Sequence, residues 1–119
     1  MKNVYCLKNC LVALSLSLAS GAASAAAGWT DSTPILEVNQ QGTTGVGANL
    51  VFIETSVTVN PSGCSYTKGF YFAVNDDRQK RLFAMLLSAQ MSGRNVKIYT
   101  TGTCHNPWGY AELDGVVVN

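Results

Sequence analysis

Residues Asn75–Cys104 read NDDRQKRLFAMLLSAQMSGRNVKIYTTGTC, and this stretch decides the fold. The side chains of Asn75–Asp77 can accept hydrogen bonds from the N–H groups of a first helical turn. Gly93 can take the positive φ that commonly ends a helix. Beyond it, Asn95–Thr101 alternates apolar and polar residues, as a half-buried strand does. The stretch therefore predicts a capped helix followed by one strand that leads to Cys104.

The apolar residues of the predicted helix cover an arc of roughly 200° at about 100° per residue. They are Leu82, Phe83, Met85, Leu86, Leu87, Ala89 and Met91. Such a helix must be packed against other parts of the protein over most of its circumference. We therefore expect four of its residues to be buried: Leu82, Phe83, Leu86 and Leu87. On the opposite face lie Ala84 and Ser88, four residues apart and small enough for another backbone to approach closely. These two residues predict a homo-oligomer face.

Three strands are predicted before the helix and two after it. They are Ile35–Val38, Asn49–Val59, Gly69–Val74, Asn95–Thr101 and Gly109–Val118. Within the last one, Asp114-Gly115 predicts a bulge in one long strand in preference to a hairpin turn. The order β-β-β-α-β-β is that of a five-stranded OB-type barrel, with the helix plugging one end. An α+β sandwich with the helix on one open face is the alternative.

The first 27 residues have the composition of a signal peptide. Two lysines make the start positive, Leu11–Leu18 is an apolar run too short to span a bilayer, and small residues follow. We place cleavage after Ala27, with cleavage after Ala25 as the alternative. The chain is then exported, periplasmic or secreted, and residues 28–119 form a single small domain. We predict no membrane span in this domain.

Charge and motifs argue against several classes of function. The leader holds two of the eight basic residues, which leaves six basic against seven acidic residues in the predicted domain. Nucleic-acid binders are usually strongly basic, so nucleic acid is not an expected partner. The cluster of basic residues in Arg78–Arg81 fits a solvated helix face. The sequence has no phosphate loop, nucleophile elbow or metal-ligand spacing, so we predict no catalytic residue, cofactor or metal.

Four cysteines in the full sequence become two after cleavage, Cys64 and Cys104. An even count in an exported chain favours a disulfide between them. The alternative is a metal site formed by Cys64, Cys104 and His105. That set lacks a fourth ligand and the paired spacing that is typical of such sites.

Aromatic residues with a polar group are the best lead to a binding site, because they stack on sugars and anchor protein partners. They are Trp29, Tyr66, Tyr71, Tyr99, Trp108 and Tyr110. Trp108 and Tyr110 flank Gly109 in a loop just beyond Cys104, and loops are where binding residues concentrate. We predict Trp108 and Tyr110 as ligand-binding residues. Glu54 and Glu112 are single carboxylates in strands and indicate nothing specific.

The chain also resembles known proteins. The segments NPSGCS, KGFYF, AMLLSAQMSGRNVKIYTTGTC and WGYAELDGVVV resemble small exported bacterial proteins of mostly unknown function, from about Gly45 onward. A more distant likeness runs to the OB-fold B subunits of subtilase-type and pertussis-type toxins. In those subunits, too, a helix ends in a glycine before a V-x-I-Y strand, matched here by Gly93 and Val96–Tyr99.

The toxin likeness implies a pentameric module that binds sialoglycans. It implies a sugar-binding role for Ser32, a loose match to a serine near the first strand. It implies the same for Thr100, although that position is aromatic in the subtilase type.

These features predict an exported, non-catalytic binding or interaction module, with a glycan as ligand in the manner of toxin B subunits. The first alternative is a periplasmic structural or inhibitory protein that acts on another protein. The second alternative is a small enzyme, which the shortage of candidate acid, base and nucleophile groups disfavours.

Overall fold

The computed structural model describes residues 26–119, so the predicted signal peptide lies outside the described residues except for its last two positions. The strands are β1 (Gly28–Trp29), β2 (Ile35–Gln40), β3 (Leu50–Thr55), β4 (Gly69–Ala73), β5 (Val96–Cys104) and β6 (Ala111–Val118), and the helix is α1 (Asp77–Ser92). The protein is mainly β with one helix, as the sequence predicts. No helix in this part of the chain has the length and the apolar character needed to cross a membrane.

The strands form one mixed sheet in the order β1-β5-β6-β4-β3-β2. β4 and β6 run parallel, and the other neighbouring pairs run antiparallel. β1 and β2 are the two edges, and no strand pairing within residues 26–119 closes the sheet. The predicted five-strand order of an OB-type barrel is therefore not confirmed, because β1 is an additional strand and the sheet has two edges.

The short segment between β1 and β2 connects the part of the sheet at β5 with the part at β3. Thr33 exchanges two backbone hydrogen bonds with Val96 on β5, with N···O distances of 2.9 and 2.8 Å. Only two residues later, Ile35 lies opposite Thr55 on β3. The chain thus passes directly from pairing with β5 to pairing with β3.

Both ends of α1 are capped where the sequence predicts. The Asp76 carboxylate accepts a hydrogen bond from the Gln79 N–H (2.7 Å), and the Gln79 side chain accepts one from the Asp76 N–H (3.3 Å). This reciprocal pair is a capping box, which satisfies two otherwise unpaired donors. At the other end, Gly93 takes a φ of 68° and ends the helix.

The core lies between α1 and one face of the sheet. Leu82, Leu86 and Ala89 are the buried helix residues. The sheet contributes Val51, Ile53, Phe70, Phe72, Ile98 and Leu113 to the same cluster. The prediction of helix burial is confirmed for Leu82 and Leu86, whereas Phe83 and Leu87 are half-buried.

The prediction that most of the circumference of α1 is buried is wrong. Met85 is 40% exposed and Met91 is 87% exposed. The sheet covers α1 on one side, so apolar residues at the margins of the arc face solvent in the single chain.

The predicted bulge in the last strand is confirmed. β6 is continuous, and Tyr99 pairs with Gly115 whereas the next residue, Thr100, pairs with Leu113. One residue, Asp114, is therefore left over between two consecutive pairs, which is the defining feature of a bulge.

The predicted strand Asn49–Val59 ends earlier than expected, at Thr55. The residues that follow are held by side chains instead of by a neighbouring strand. The Asp31 carboxylate accepts hydrogen bonds from the N–H groups of Thr58 (3.1 Å) and Val59 (3.0 Å). The Thr58 hydroxyl also donates to this carboxylate, at 2.7 Å, and this bond is the main cause that lowers the pKa of Asp31, with the N–H bonds adding to it.

The predicted disulfide between Cys64 and Cys104 is present, with the two Cα atoms 5.6 Å apart. It joins the loop before β4 to the end of β5. Because both sulfurs are used in this bond, the alternative metal site with His105 is not formed.

Candidate functional site

The face of the sheet opposite α1 carries an open cleft of about 400 Å³. Its lining residues are Glu37, Asn39, Gln41, Phe52, Glu54, Tyr66, Trp108 and Tyr110. Side chains alternate between the two faces of a strand, so on β3 Val51 and Ile53 point to the core while Phe52 and Glu54 point to the cleft. The cleft and the core are therefore built on opposite faces of the same strands.

The strand register fixes the floor of the cleft. Glu37 on β2 lies opposite Glu54 on β3, and Asn39 lies opposite Phe52. Gln41 continues this row just past the end of β2, where its amide nitrogen donates to the Asn39 side-chain oxygen at 2.9 Å. Two carboxylates and two amides thus line one side of an aromatic floor.

The wall of the cleft is the loop between β5 and β6, which carries Trp108. The His105 N–H donates to the Tyr110 carbonyl (2.8 Å), and the Gly109 N–H donates to the His105 carbonyl (2.6 Å). The Gly109 carbonyl in turn accepts from the Tyr66 N–H (3.1 Å). These bonds, with the nearby disulfide, fix the loop that bears Trp108 against the loop that bears Tyr66.

Gly109 is required at its position for two reasons. Its φ of 74° lies in the left-handed region, and an added Cβ would collide with the Ser65 Oγ. A side chain here would separate the two loops that form the wall of the cleft.

Phe52 is the centre of the aromatic cluster. Its ring makes edge-to-face contacts with Trp108 and Tyr110, with ring centroids 5.1 Å apart in both cases, and with His105 at 5.3 Å. Such contacts between aromatic rings are worth roughly 0.5–1.5 kcal/mol each beyond the area they bury. The cluster therefore holds Trp108 in place although its side chain is 42% exposed.

Glu54 joins two tyrosines above the floor. The hydroxyl groups of Tyr66 and Tyr110 each donate to one oxygen of its carboxylate. The two rings stack on each other with centroids 4.8 Å apart. They lie over Gly69, where an added Cβ would be 2.6 Å from the Tyr66 ring and 2.7 Å from the Tyr110 ring.

This arrangement disfavours ionisation of both tyrosines. The hydrogen bond to Glu54 is the main cause that raises the pKa of Tyr66. Burial is the main cause that raises the pKa of Tyr110, and the hydrogen bond to Glu54 adds to it. Tyrosine hydroxyls are protonated at neutral pH in any case, so both donate to Glu54, and their oxygen lone pairs can accept further hydrogen bonds.

The structure brings together two of the four residues predicted to bind a ligand. Trp108 and Tyr110 both line the cleft. Thr100 is completely buried on β5, and Ser32 is exposed elsewhere, where its Oγ accepts from the Asn119 amide at 2.8 Å. Neither Thr100 nor Ser32 lines the cleft.

The predicted oligomer residues Ala84 and Ser88 are exposed on the outer face of α1. Met85 and Met91 are exposed on the same helix. The homo-oligomer stays a prediction.

Several cleft residues were not predicted from the sequence. Glu37, Asn39 and Gln41 recur at every second position, which is the signal of one strand face. The prediction missed it because it ended this strand at Val38. Glu54 gave no signal, because its role depends on tyrosines brought to it by the fold.

Comparisons with protein-family models, with curated proteins and with solved structures find no match to this chain.

Proposed function

We propose that this chain is an exported, non-catalytic module that binds a glycan in the cleft. The observation that carries the proposal is the 42% exposed side chain of Trp108 in one cleft with a row of planar polar side chains. A sugar ring presents an apolar face and a rim of hydroxyl groups, so it stacks on an aromatic ring while its rim bonds to carboxylates and amides. Glu37, Asn39 and Gln41 supply such groups along one side of the cleft.

The rigidity of the cleft supports the proposal. Trp108 and Tyr66 are 42% and 37% exposed, yet backbone hydrogen bonds and ring contacts hold the segments that carry them. A site that is ordered before the ligand arrives loses little conformational entropy on binding. This favours useful affinity from a cleft of modest size.

The architecture we propose is an OB-type barrel in which Gly28–Gln40 acts as one interrupted first strand. Its support is the segment around Thr33, which pairs with β5 at one end and leads into pairing with β3 at the other. If β1 and β2 count as one strand, the element order becomes β-β-β-α-β-β. In OB-type barrels, the face of the second and third strands and the adjoining loops bind oligosaccharides. The cleft shares β3, the second strand of that order, with this site, and it is completed by β2 and by the β5–β6 loop, which corresponds to the loop between the fourth and fifth strands.

Export is supported by the disulfide, because such bonds form and persist mainly in oxidising compartments. It also agrees with the signal-peptide composition of the first 27 residues.

The test is a glycan array followed by titration of the purified protein, with one tryptophan as reporter. The chain has two tryptophans, Trp29 and Trp108, and both are about half exposed. Trp29 packs edge-to-face on Tyr99 and does not line the cleft. In a Trp29→Phe variant, glycan binding should change the fluorescence of Trp108.

The matched pair of variants is Trp108→Ala and Trp29→Ala. We expect Trp108→Ala to lose binding and Trp29→Ala to keep it. Equal loss in both variants, or an array without any bound glycan, would contradict the proposal.

A second candidate is a periplasmic protein that acts on another protein, and the exposed methionines of α1 favour it. Flexible, polarisable methionines are over-used at surfaces that bind protein partners. A pull-down with wild type and a Met85→Lys, Met91→Lys double variant tests this candidate. Loss of the same specific partner from the double variant, but not from Trp108→Ala, would favour it over glycan binding.

A further inference from the structure

We infer that the cleft selects an amino sugar with a free, positively charged amine and disfavours acidic sugars such as sialic acids. The inference rests on the proposed function, because it names the class of glycan that the same cleft takes. It departs from the sialoglycan ligand that the toxin likeness implies.

The first support is a pair of like charges without a counter-ion. Glu37 and Glu54 are directly opposite each other on β2 and β3, and both line the cleft. Like charges directly opposite on neighbouring strands destabilise a sheet. None of the lining residues is a lysine or an arginine. Among residues 26–119 there is one ion pair, which joins Arg78 to Asp114 outside the cleft.

The two carboxylate charges act on both tyrosines of the cleft. Glu54 and Glu37 each act to raise the pKa of Tyr66 and of Tyr110 by charge repulsion of the phenolate. The negative potential therefore extends across the floor of the cleft. A positively charged group placed there would offset the repulsion between the two glutamates, and a negatively charged group would add to it.

The second support is an excess of hydrogen-bond acceptors. Both oxygens of Glu54 already accept from tyrosine hydroxyls, so this group is held as an acceptor. The Glu37 carboxylate and the two tyrosine oxygens add further acceptors. Since Gln41 donates to the Asn39 side-chain oxygen, its own carbonyl oxygen is a further acceptor beside the cleft. An ammonium group, which has three donors and no acceptor, matches this set.

The third support is the aromatic wall. A cation is attracted to the face of an aromatic ring, most strongly to tryptophan, within about 6 Å of the ring centre. Trp108 and Tyr66 are the two cleft aromatics with the largest exposed area, and they stand near the carboxylate pair. Rings and carboxylates therefore favour the same sign of charge, and both disfavour a carboxylate on the ligand.

The test compares three probes that differ in charge. They are a β-1,4-linked glucosamine tetramer, its fully N-acetylated counterpart, and sialyllactose. Titration of the Trp29→Phe protein should give an affinity for the free amine that is about tenfold to a hundredfold higher than for the acetylated tetramer. Added salt should reduce this ratio, because screening weakens the charge term.

The outcomes separate the inference from the proposed function. If the acetylated tetramer or sialyllactose binds as tightly as the amine, the inference is overturned and glycan binding stands. If no glycan on the array or in solution binds, both fail.

A pair of matched variants tests whether the carboxylates of the cleft cause the selectivity for the amine. Glu37→Gln removes one charge from an exposed position and keeps the shape of the side chain. We expect it to lower the ratio of the two affinities, amine over acetylated tetramer, by about tenfold, because the charge is lost while the amide can still bond to sugar hydroxyls. The control is Glu112→Gln, because Glu112 does not line the cleft and is bonded to Thr101 at 2.9 Å. Equal weakening of both tetramers by Glu37→Gln would mean that Glu37 contacts the part of the sugar that both share and does not select the amine, and would overturn the inference.

Discussion

Replacement of Gly69 by alanine should damage the cleft while the core stays in place. Gly69 lies beneath the stacked rings of Tyr66 and Tyr110 at the start of β4, and its backbone does not need positive φ. The added Cβ would be 2.6 Å from two atoms of the Tyr66 ring and 2.7 Å from one atom of the Tyr110 ring. At least one ring must move. Tyr66 is the more exposed of the two, so we expect it to swing towards solvent.

The size of the effect follows from what Tyr66 loses. The stacked pair is worth about 0.5–1.5 kcal/mol. A hydrogen bond to a charged acceptor is worth about 1.5–3 kcal/mol, and partial exposure of the Glu54 site reduces that value. Replacing glycine by alanine also restricts the unfolded chain, which offsets about 0.4–1 kcal/mol. We therefore expect a net loss of about 1–2 kcal/mol in the free energy of unfolding, together with weaker glycan binding.

The assay is urea denaturation of the purified protein, with Gly42→Ala as the matched control. A Cβ at Gly42 would meet no atom within 4 Å, so this variant should be as stable as wild type or slightly more stable. Gly69→Ala should also cost less in a Tyr66→Ala background, because one of the two clashes is then gone. If Gly69→Ala is as stable as Gly42→Ala and binds ligand like wild type, the stacked tyrosines do not shape the cleft.

Four further predictions concern the core, the tyrosines, the disulfide and the helix face. Leu86→Ala should lower the free energy of unfolding by about 2–5 kcal/mol, whereas the exposed Met91→Ala should change it by less than about 0.5 kcal/mol; similar values for the two in urea melts would mean that α1 does not form the core. Because the pKa values of Tyr66 and Tyr110 are raised, the folded chain keeps protons that the unfolded chain releases above the ordinary pKa of 10.0. Their contribution to the free energy of unfolding should therefore be fully present below pH 10 and should be lost as the pH rises above it. Between about pH 9 and about pH 11, the urea midpoint should fall less in a Tyr66→Phe, Tyr110→Phe double variant than in wild type. An equal fall in both proteins would contradict this linkage. Removal of the disulfide, which joins residues 40 apart, should cost about 4 kcal/mol on the chain-entropy model, and mass spectrometry should find no alkylatable thiol at Cys64 or Cys104 in the folded protein. Ala84→Glu with Ser88→Lys should prevent assembly if α1 packs on a neighbouring subunit; a wild-type monomer at high micromolar concentration, or normal assembly of the double variant, would contradict the oligomer prediction.

Features that depend on neighbours in sequence were predictable. The helix start at Asp76, one of three candidate cap residues, and the glycine end at Gly93 depend on a few adjacent residues and lie where the sequence places them. Strand alternation depends on every second residue, and it located β3, β4, β5 and β6. The disulfide followed from the count of cysteines and the predicted compartment.

Features that depend on distant pairing were not predictable. Glu54 and Tyr110 are 56 residues apart in sequence, and they meet because β4 pairs in parallel with β6 and brings the β5–β6 loop over β3. A single carboxylate in a strand gives no sign of such a partner. The early end of β3 also depends on a distant residue, since Asp31 holds the backbone at Thr58 and Val59.

The core and the proposed binding cleft lie on opposite faces of the same strands, so we expect that stability and the proposed ligand binding can be changed separately. On β3, Val51 and Ile53 are completely buried in the core, while Phe52 and Glu54 line the cleft. A polar change on the cleft face, such as Glu37→Gln, leaves the core contacts intact. The loops are the exception, because the disulfide and the Gly109 contact fix the aromatic wall and also stabilise the chain. Selectivity should therefore be altered through β2, whereas changes in the β5–β6 loop should alter affinity and stability together.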